Sequence, residues 1–152
     1  MTPTSPTHAT QTGNATGSAS LAPYAGHPCL LFPASRTLTS AEADALMASL
    51  NAFLAGWASH GAPVDGAGAV LENRFVVVAH KPRDIAGCSR DALLFFLNDA
   101  GARLGVQWTG GSRVYWRDAD GSVRDADRPG FRALAAAADG FEQAPRADAP
   151  TR

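Results

Sequence analysis

The spacing of apolar residues changes period several times along the chain, and each change predicts an element. Pro28-Cys29-Leu30-Leu31-Phe32-Pro33 is a short apolar run closed by proline, as expected of a buried strand. A helical period follows, with Leu46, Leu50, Phe53, Leu54 and Trp57 on one face. Thr39 and Glu42 predict the start of this helix as a capping box, because hydroxyl and carboxylate each satisfy a backbone N–H that the first turn leaves unpaired. His60-Gly61 is expected to end it: glycine takes the left-handed conformation after a helix, and an imidazole suits the negative end of the helix dipole.

Two strands at 69–71 and 75–80 flank Glu72-Asn73-Arg74 and predict a hairpin. Gly87-Cys88-Ser89 opens a second helix with an inward face of Leu93, Phe96, Leu97, Ala100 and Leu104, stopped by Gly105. Residues 106–108 form a short candidate strand. Segments 112–117 and 122–125 then flank Asp118-Ala119-Asp120-Gly121, a tight-turn signal, and a last short helix over 129–138 packs through Phe131, Leu134 and Ala138.

The order β-α-β-β-α-β over residues 28–117 predicts an α+β protein with a ferredoxin-like antiparallel sheet and both helices on one face, extended by a C-terminal hairpin strand and a short helix. The first 26 residues carry no Asp, Glu, Lys or Arg and no apolar period, and read as a disordered tail. Residues 141–152 read the same way, which leaves a single α+β domain over 27–140.

Composition narrows the function classes. The 152 residues include 13 basic and 14 acidic side chains, for a net charge of -1, so no electrostatic footprint for nucleic acid or anionic lipid is present. The longest apolar runs fall far short of the roughly 18 residues a bilayer span needs. Two cysteines cannot form a disulfide scaffold, and no basic start with a continuous apolar stretch marks a secretory leader, so a cytoplasmic location is expected. Asn14-Ala15-Thr16 is then a chance match to a glycosylation sequon. Lys81 is the only lysine, and alanine makes up about a fifth of the chain. GC-rich coding accounts for that bias, which weakens any arginine as evidence for anion recognition.

Several chemistries find no support. A P-loop needs Gly-Lys-Ser/Thr after a glycine-rich turn, and Lys81 follows His80 instead. Structural zinc needs four closely grouped Cys or His ligands, whereas here two cysteines stand far apart among scattered histidines, His8 lying in the tail. No metal or other cofactor is expected. In Asp118-Ala119-Asp120-Gly121 the glycine comes too early for a calcium loop, and no glutamate closes it. Arg74-Phe75-Val76-Val77-Val78 lacks the alternating aromatics of an RNA platform.

One segment carries chemical content. Cys88, within Gly87-Cys88-Ser89-Arg90-Asp91, stands where unpaired N–H groups and the positive helix end favour an anion, and Lys81, Arg83 and Arg90 are near in sequence. Cys88 would then be a nucleophile or redox thiol, Gly87 and Ser89 would offer backbone donors, and His60 or His80 would serve as base. The same residues also have a structural reading, with Cys88 buried, Ser89 an N-cap, Asp91 complementing the dipole and Gly87 allowing the bend. A nucleophile elbow would need glycine where Asp91 stands. Arg74 either pairs with Asp91 or Glu72 or points to solvent; Trp57 belongs to the core and Cys29 is a packed strand residue. Trp108, Tyr115 and Trp116 lie where a sheet edge could bind a partner.

Together, Trp57-Ala58-Ser59-His60-Gly61, Asn73-Arg74-Phe75, Gly87-Cys88-Ser89 with Asp91, and Leu104-Gly105-Val106 resemble a family of small uncharacterised bacterial proteins over residues 28–138. Some of its members carry the label "ABC transporter ATPase", which the missing P-loop contradicts as a catalytic claim. The resemblance implies no activity. It implies that Trp57, His60, Asn73, Arg74, Gly87, Cys88, Ser89 and Asp91 belong to family motifs. The chain departs from the pattern in its Thr-rich tail, in His80-Lys81-Pro82-Arg83 where acidic residues are more usual, and in Arg90 where an aliphatic residue is common.

The functional expectation is a cytosolic, non-catalytic module that binds a protein or small-molecule partner, with Gly87, Ser89, Asp91, Arg74, Asn73 and His60 as candidate binding residues. A homodimer through a sheet edge or face belongs to the same expectation. The rival is a thiol-dependent enzyme or redox sensor using Cys88.

Overall fold

A computed structural model of the chain describes residues 20–82 and 85–138. The expectations for His8, Asn14, Arg83 and the segment 141–152 lie outside the described residues. The elements are β1 (Cys29–Pro33), α1 (Ser40–Ala55), β2 (Ala58–Ser59), β3 (Ala62–Pro63), β4 (Gly66–Leu71), β5 (Phe75–His80), α2 (Gly87–Leu104), β6 (Arg113–Arg117), β7 (Val123–Asp127) and α3 (Arg128–Ala137). They fall into two compact units, one running to Thr109 and one from Gly110.

The first unit is built on the sheet β1-β5-β4, antiparallel throughout, with Cys29 opposite Ala79 and Gly66 opposite His80. The Thr39 hydroxyl accepts the Glu42 amide at 3.1 Å, and the Glu42 carboxylate accepts the Thr39 amide at 2.8 Å, so α1 starts on the expected capping box. Its Leu46, Leu50 and Leu54 pack on Val70, Val76 and Val78 of the sheet and on Leu93 and Leu97 of α2. Gly68 on β4 makes that approach possible: a Cβ there would lie 2.5 Å from Leu50 Cδ2. Gly105, at φ +67°, closes α2 in the left-handed conformation as expected.

Three expectations need correction. The four-stranded ferredoxin-like sheet is not formed among the described residues. After α2, residues 107–109 meet the end of β1 at an isolated bridge between Ala34 and Trp108, flanked by backbone bonds from the Thr109 amide to the Pro33 carbonyl and from the Ser35 amide to the Gln107 carbonyl, both 2.8 Å. Gly110-Gly111 then follows, and glycine weakens strand continuation. Arg113–Arg117 pairs with Val123–Asp127 instead. The first helix stops at Ala55 with Gly56 as its cap, so Trp57 is buried outside it, and His60-Gly61 is a turn between β2 and β3. Both turn residues have positive φ, 51° and 76°, the hairpin geometry that matches strand twist. Cys29 is exposed rather than packed.

Residues 20–26, read in the sequence as tail, include a 3-10 turn over Ala22–Tyr24. Ser20 Oγ donates to the Gly68 carbonyl at 3.0 Å, and the Tyr24 hydroxyl donates to Asp65 at 2.5 Å.

The second unit is the β6-β7 hairpin with α3. Asp118 and Ser122 close the hairpin through a 2.9 Å backbone bond, and Arg113 pairs with Asp125 across it. Asp127 caps α3 by accepting the Gly130 amide at 2.7 Å. Phe131 rests on Trp116 with ring centroids 5.3 Å apart.

No helix among the described residues is long and apolar enough to cross a membrane.

Candidate functional site

The first turn of α2 has no side-chain cap, since Ala86 holds the N-cap position. Its polar groups are met from the β2-β3 hairpin. Ser59 Oγ accepts the Ala86 amide at 3.0 Å, Ser89 Oγ donates to the Ala58 carbonyl at 2.8 Å, and Trp57 Nε1 donates to the Ser89 carbonyl at 2.9 Å. Ser89 is therefore a buried clamp at the third helical position and not the expected N-cap.

His80 is buried beside this clamp. Its Nδ1 lies 2.9 Å from the Lys81 carbonyl, an acceptor only, which places the proton on that nitrogen. The ring meets Trp57 edge-on, with centroids 6.3 Å apart at 85°. Lys81 is engaged elsewhere, its ammonium 3.1 Å from Asp65. Hydrogen bonding from Tyr24 and then from Lys81 holds the Asp65 carboxyl below its ordinary range.

Outward from the clamp the surface changes character. Gly87, Cys88, Arg90 and Asp91 are exposed. Cys88 and Asp91 line an open groove of about 590 Å³ with Phe53, Ala92, Phe95, Phe96 and Asp99. Phe53 of α1 stacks on Phe96 of α2 at 4.8 Å, and Phe95 is 78% exposed. Asp91 and Asp99 make the only charged contribution to this lining, so the groove offers apolar contact with an acidic margin.

Asn73 and Arg74 belong to a different place. Glu72 and Asn73, at φ +53° and +50°, form the two-residue turn between β4 and β5, closed by a 3.0 Å bond from the Arg74 amide to the Leu71 carbonyl. Arg74 is buried rather than paired with Asp91 or open to solvent. Its Nε donates to the Ala34 carbonyl at 3.2 Å and Nη2 to the Ser35 carbonyl at 3.4 Å. The Asn73 carbonyl accepts the Leu38 amide at 2.7 Å. Six residues of strand, roughly 20 Å at 3.3 Å per residue, separate Arg74 from His80.

The candidate residues thus divide. Cys88 and Asp91 share the groove, Ser89 joins Trp57 and Ser59 in the clamp, Arg74 and Asn73 brace the far end of the sheet, and His60 is exposed on its own turn. No group of three His, Cys, Asp or Glu side chains among the described residues suits a metal ion.

Sequence reasoning missed Phe53 and Phe95 as site residues, and it missed a second cavity, of about 740 Å³, in the second unit. That cavity is lined chiefly by Trp116, Arg124, Phe131 and Leu134, with Arg124 Nε held 3.2 Å from Asp118. The available signal was the aromatic run on β6 followed by an amphipathic helix, whose Leu134 was expected to pack but is 54% exposed.

No family model, no curated protein and no solved structure matches the chain.

Proposed function

We propose that the chain is a cytosolic, non-catalytic interaction module that accepts an apolar side chain of a protein partner in the groove between α1 and α2. One observation carries this reading: Phe95 stands 78% exposed beside a stacked Phe53-Phe96 pair. Exposing an aromatic ring forgoes roughly 1.5–3 kcal/mol of burial, a cost that a partner can recover. The reading is supported from the other side by Ser59, Ser89 and Arg74, whose polar atoms are engaged with backbone groups.

A second reading retains a thiol function, because Cys88 is exposed on the first turn of α2. The two separate in one experiment, alkylation of Cys88 against pH in a Cys29→Ala background. The module reading expects Cys88 to react no faster than a small-molecule thiol under the same conditions; a rate roughly a hundredfold higher would replace it with the thiol reading. A second measurement addresses the groove directly. Calorimetry with an anilinonaphthalene sulfonate dye should show binding to the native chain and at least tenfold weaker binding to Phe95→Asp. Equal binding by both proteins would remove the groove from the proposal.

A further inference from the structure

We infer that β1 is a self-association edge and that its occupant is a second copy of this chain, paired antiparallel about Leu30. The inference deepens the interaction-module reading, on which it rests, and uses a surface separate from the groove.

Among the described residues β1 is an edge strand of its sheet, with β5 as its one neighbouring strand. The alternation of its ladder is fixed at both ends. The Pro28 carbonyl accepts the His80 amide at 3.2 Å, and the Ala34 amide donates to the Arg74 carbonyl at 2.8 Å. Even-numbered residues of β1 therefore face β5, and the backbone groups of Cys29, Leu31 and Pro33 face away from it. Pro33 has no N–H, and its carbonyl already accepts from the Thr109 amide at 2.8 Å and the Thr109 hydroxyl at 3.3 Å. Among the described residues, what remains is a short open window: the N–H and C=O groups of Cys29 and Leu31. Leu31 is also 57% exposed, an unusual residue to leave on a bare edge, where charged side chains or an inserted proline ordinarily discourage pairing.

A symmetric dimer must match this window to itself. Pairing Leu31 with Leu31 of the other copy would set Cys29 against Pro33, which has no N–H to give. Pairing Cys29 with Cys29 would set Leu31 against His27, whose amide is already bonded to the Tyr24 carbonyl at 3.0 Å. Setting Cys29 against Leu31 in both directions satisfies every open donor and acceptor, with four bonds centred on Leu30. On the outer face it also places the large Leu31 beside the small Cys29 of the other copy. A longer foreign strand gains little more, because at one end the next outward amide, that of His27, is already bonded to the Tyr24 carbonyl, and at the other Pro33 has no N–H. The same shortness keeps the joint below the roughly 1,200 Å² of standard interfaces, so the dimer is weak and concentration-dependent.

Sedimentation equilibrium of the full chain over about a hundredfold concentration range tests the inference, together with amide exchange at Cys29 and Leu31. A monomer–dimer equilibrium is expected, with both amides slowed as dimer forms. Leu31→Pro deletes an N–H that the monomer does not use, and Leu31→Lys keeps the backbone while placing charge on the edge. Each should weaken dimerisation at least tenfold with the urea midpoint retained, and amide exchange in the unaltered chain reports the edge even where a variant fails to fold. A dimer indifferent to both variants, with unprotected Cys29 and Leu31 amides, overturns the edge while leaving the interaction-module reading in place. A monomer at every concentration overturns the edge as well, and the dye measurement on Phe95→Asp then decides the module reading separately.

Discussion

Ser59→Ala probes the clamp that holds the first turn of α2. The side chain is fully buried, and its oxygen accepts the Ala86 amide at 3.0 Å. Alanine offers no acceptor, and a wholly buried side chain leaves little room for water to replace it. Stranding one donor costs about 1–3 kcal/mol, and the void left by a single oxygen adds little, so a loss near 2 kcal/mol is expected. For a unit of this size that corresponds to roughly 8–15 °C in Tm. The damage should be local in origin, because Ala86 is the N-cap of a helix that has no side-chain cap of its own. Amide exchange should therefore accelerate at Ala86 ahead of the α2 interior. Cys88→Ala, exposed two residues further on, is the control and should stay within about 0.5 kcal/mol. The account of the clamp is refuted if Ser59→Ala unfolds at the native urea midpoint, or if it is destabilised while Ala86 exchange is unchanged.

Two further outcomes follow from the packing and the charges. Gly68→Ala should cost about 1–3 kcal/mol by chemical denaturation, since the new methyl would lie 2.5 Å from Leu50 Cδ2 and Leu50 is itself fully enclosed. Arg36 and the Thr39 amide hold the Glu42 carboxyl at about 2 against an ordinary 4.5. The unfolded chain then takes up that proton first, so the contribution is complete above about pH 4.5 and is lost as pH falls toward 2. Urea midpoints measured across that window should fall less steeply in Glu42→Gln than in the native chain.

What is legible in the sequence depends on the distance over which each signal acts. The Thr39-Glu42 box, the inward face of α2, the Gly105 stop and the Asp118–Gly121 turn all rest on residues a few positions apart, and each is present in the structure. The end of α1 was misplaced because His60-Gly61 serves two local grammars. A glycine after an imidazole closes a helix, and the same pair also makes a two-residue hairpin turn. Gly56, one residue before Trp57, was the signal that could have decided between them.

Arg74 was illegible for a different reason. Its acceptors are carbonyls some 40 positions away in the chain, and a carbonyl leaves no mark on residue type. The α+β class survived because it depends only on the elements present. The fourth strand did not, because pairing after α2 gives way at Gly110-Gly111 and nothing in element order records strand partners. The groove around Cys88 needed Phe53 from the other helix, and the sequence placed that residue only in the core stripe.

The division into two units has an optical consequence. Trp57 and Trp108 belong to the first unit and Trp116 to the second, and they are the only three tryptophans in the chain. Trp57 is buried against His80, Trp108 donates its indole N–H to the Leu97 carbonyl at 2.6 Å, and Trp116 lies on Phe131. Tryptophan fluorescence, excited at the red edge where Tyr24 and Tyr115 do not absorb, is therefore already sorted by unit. In a Trp116→Phe protein it reports the first unit, and in a Trp57→Phe, Trp108→Phe protein it reports the second, so whether the two melt together can be read without attaching a dye.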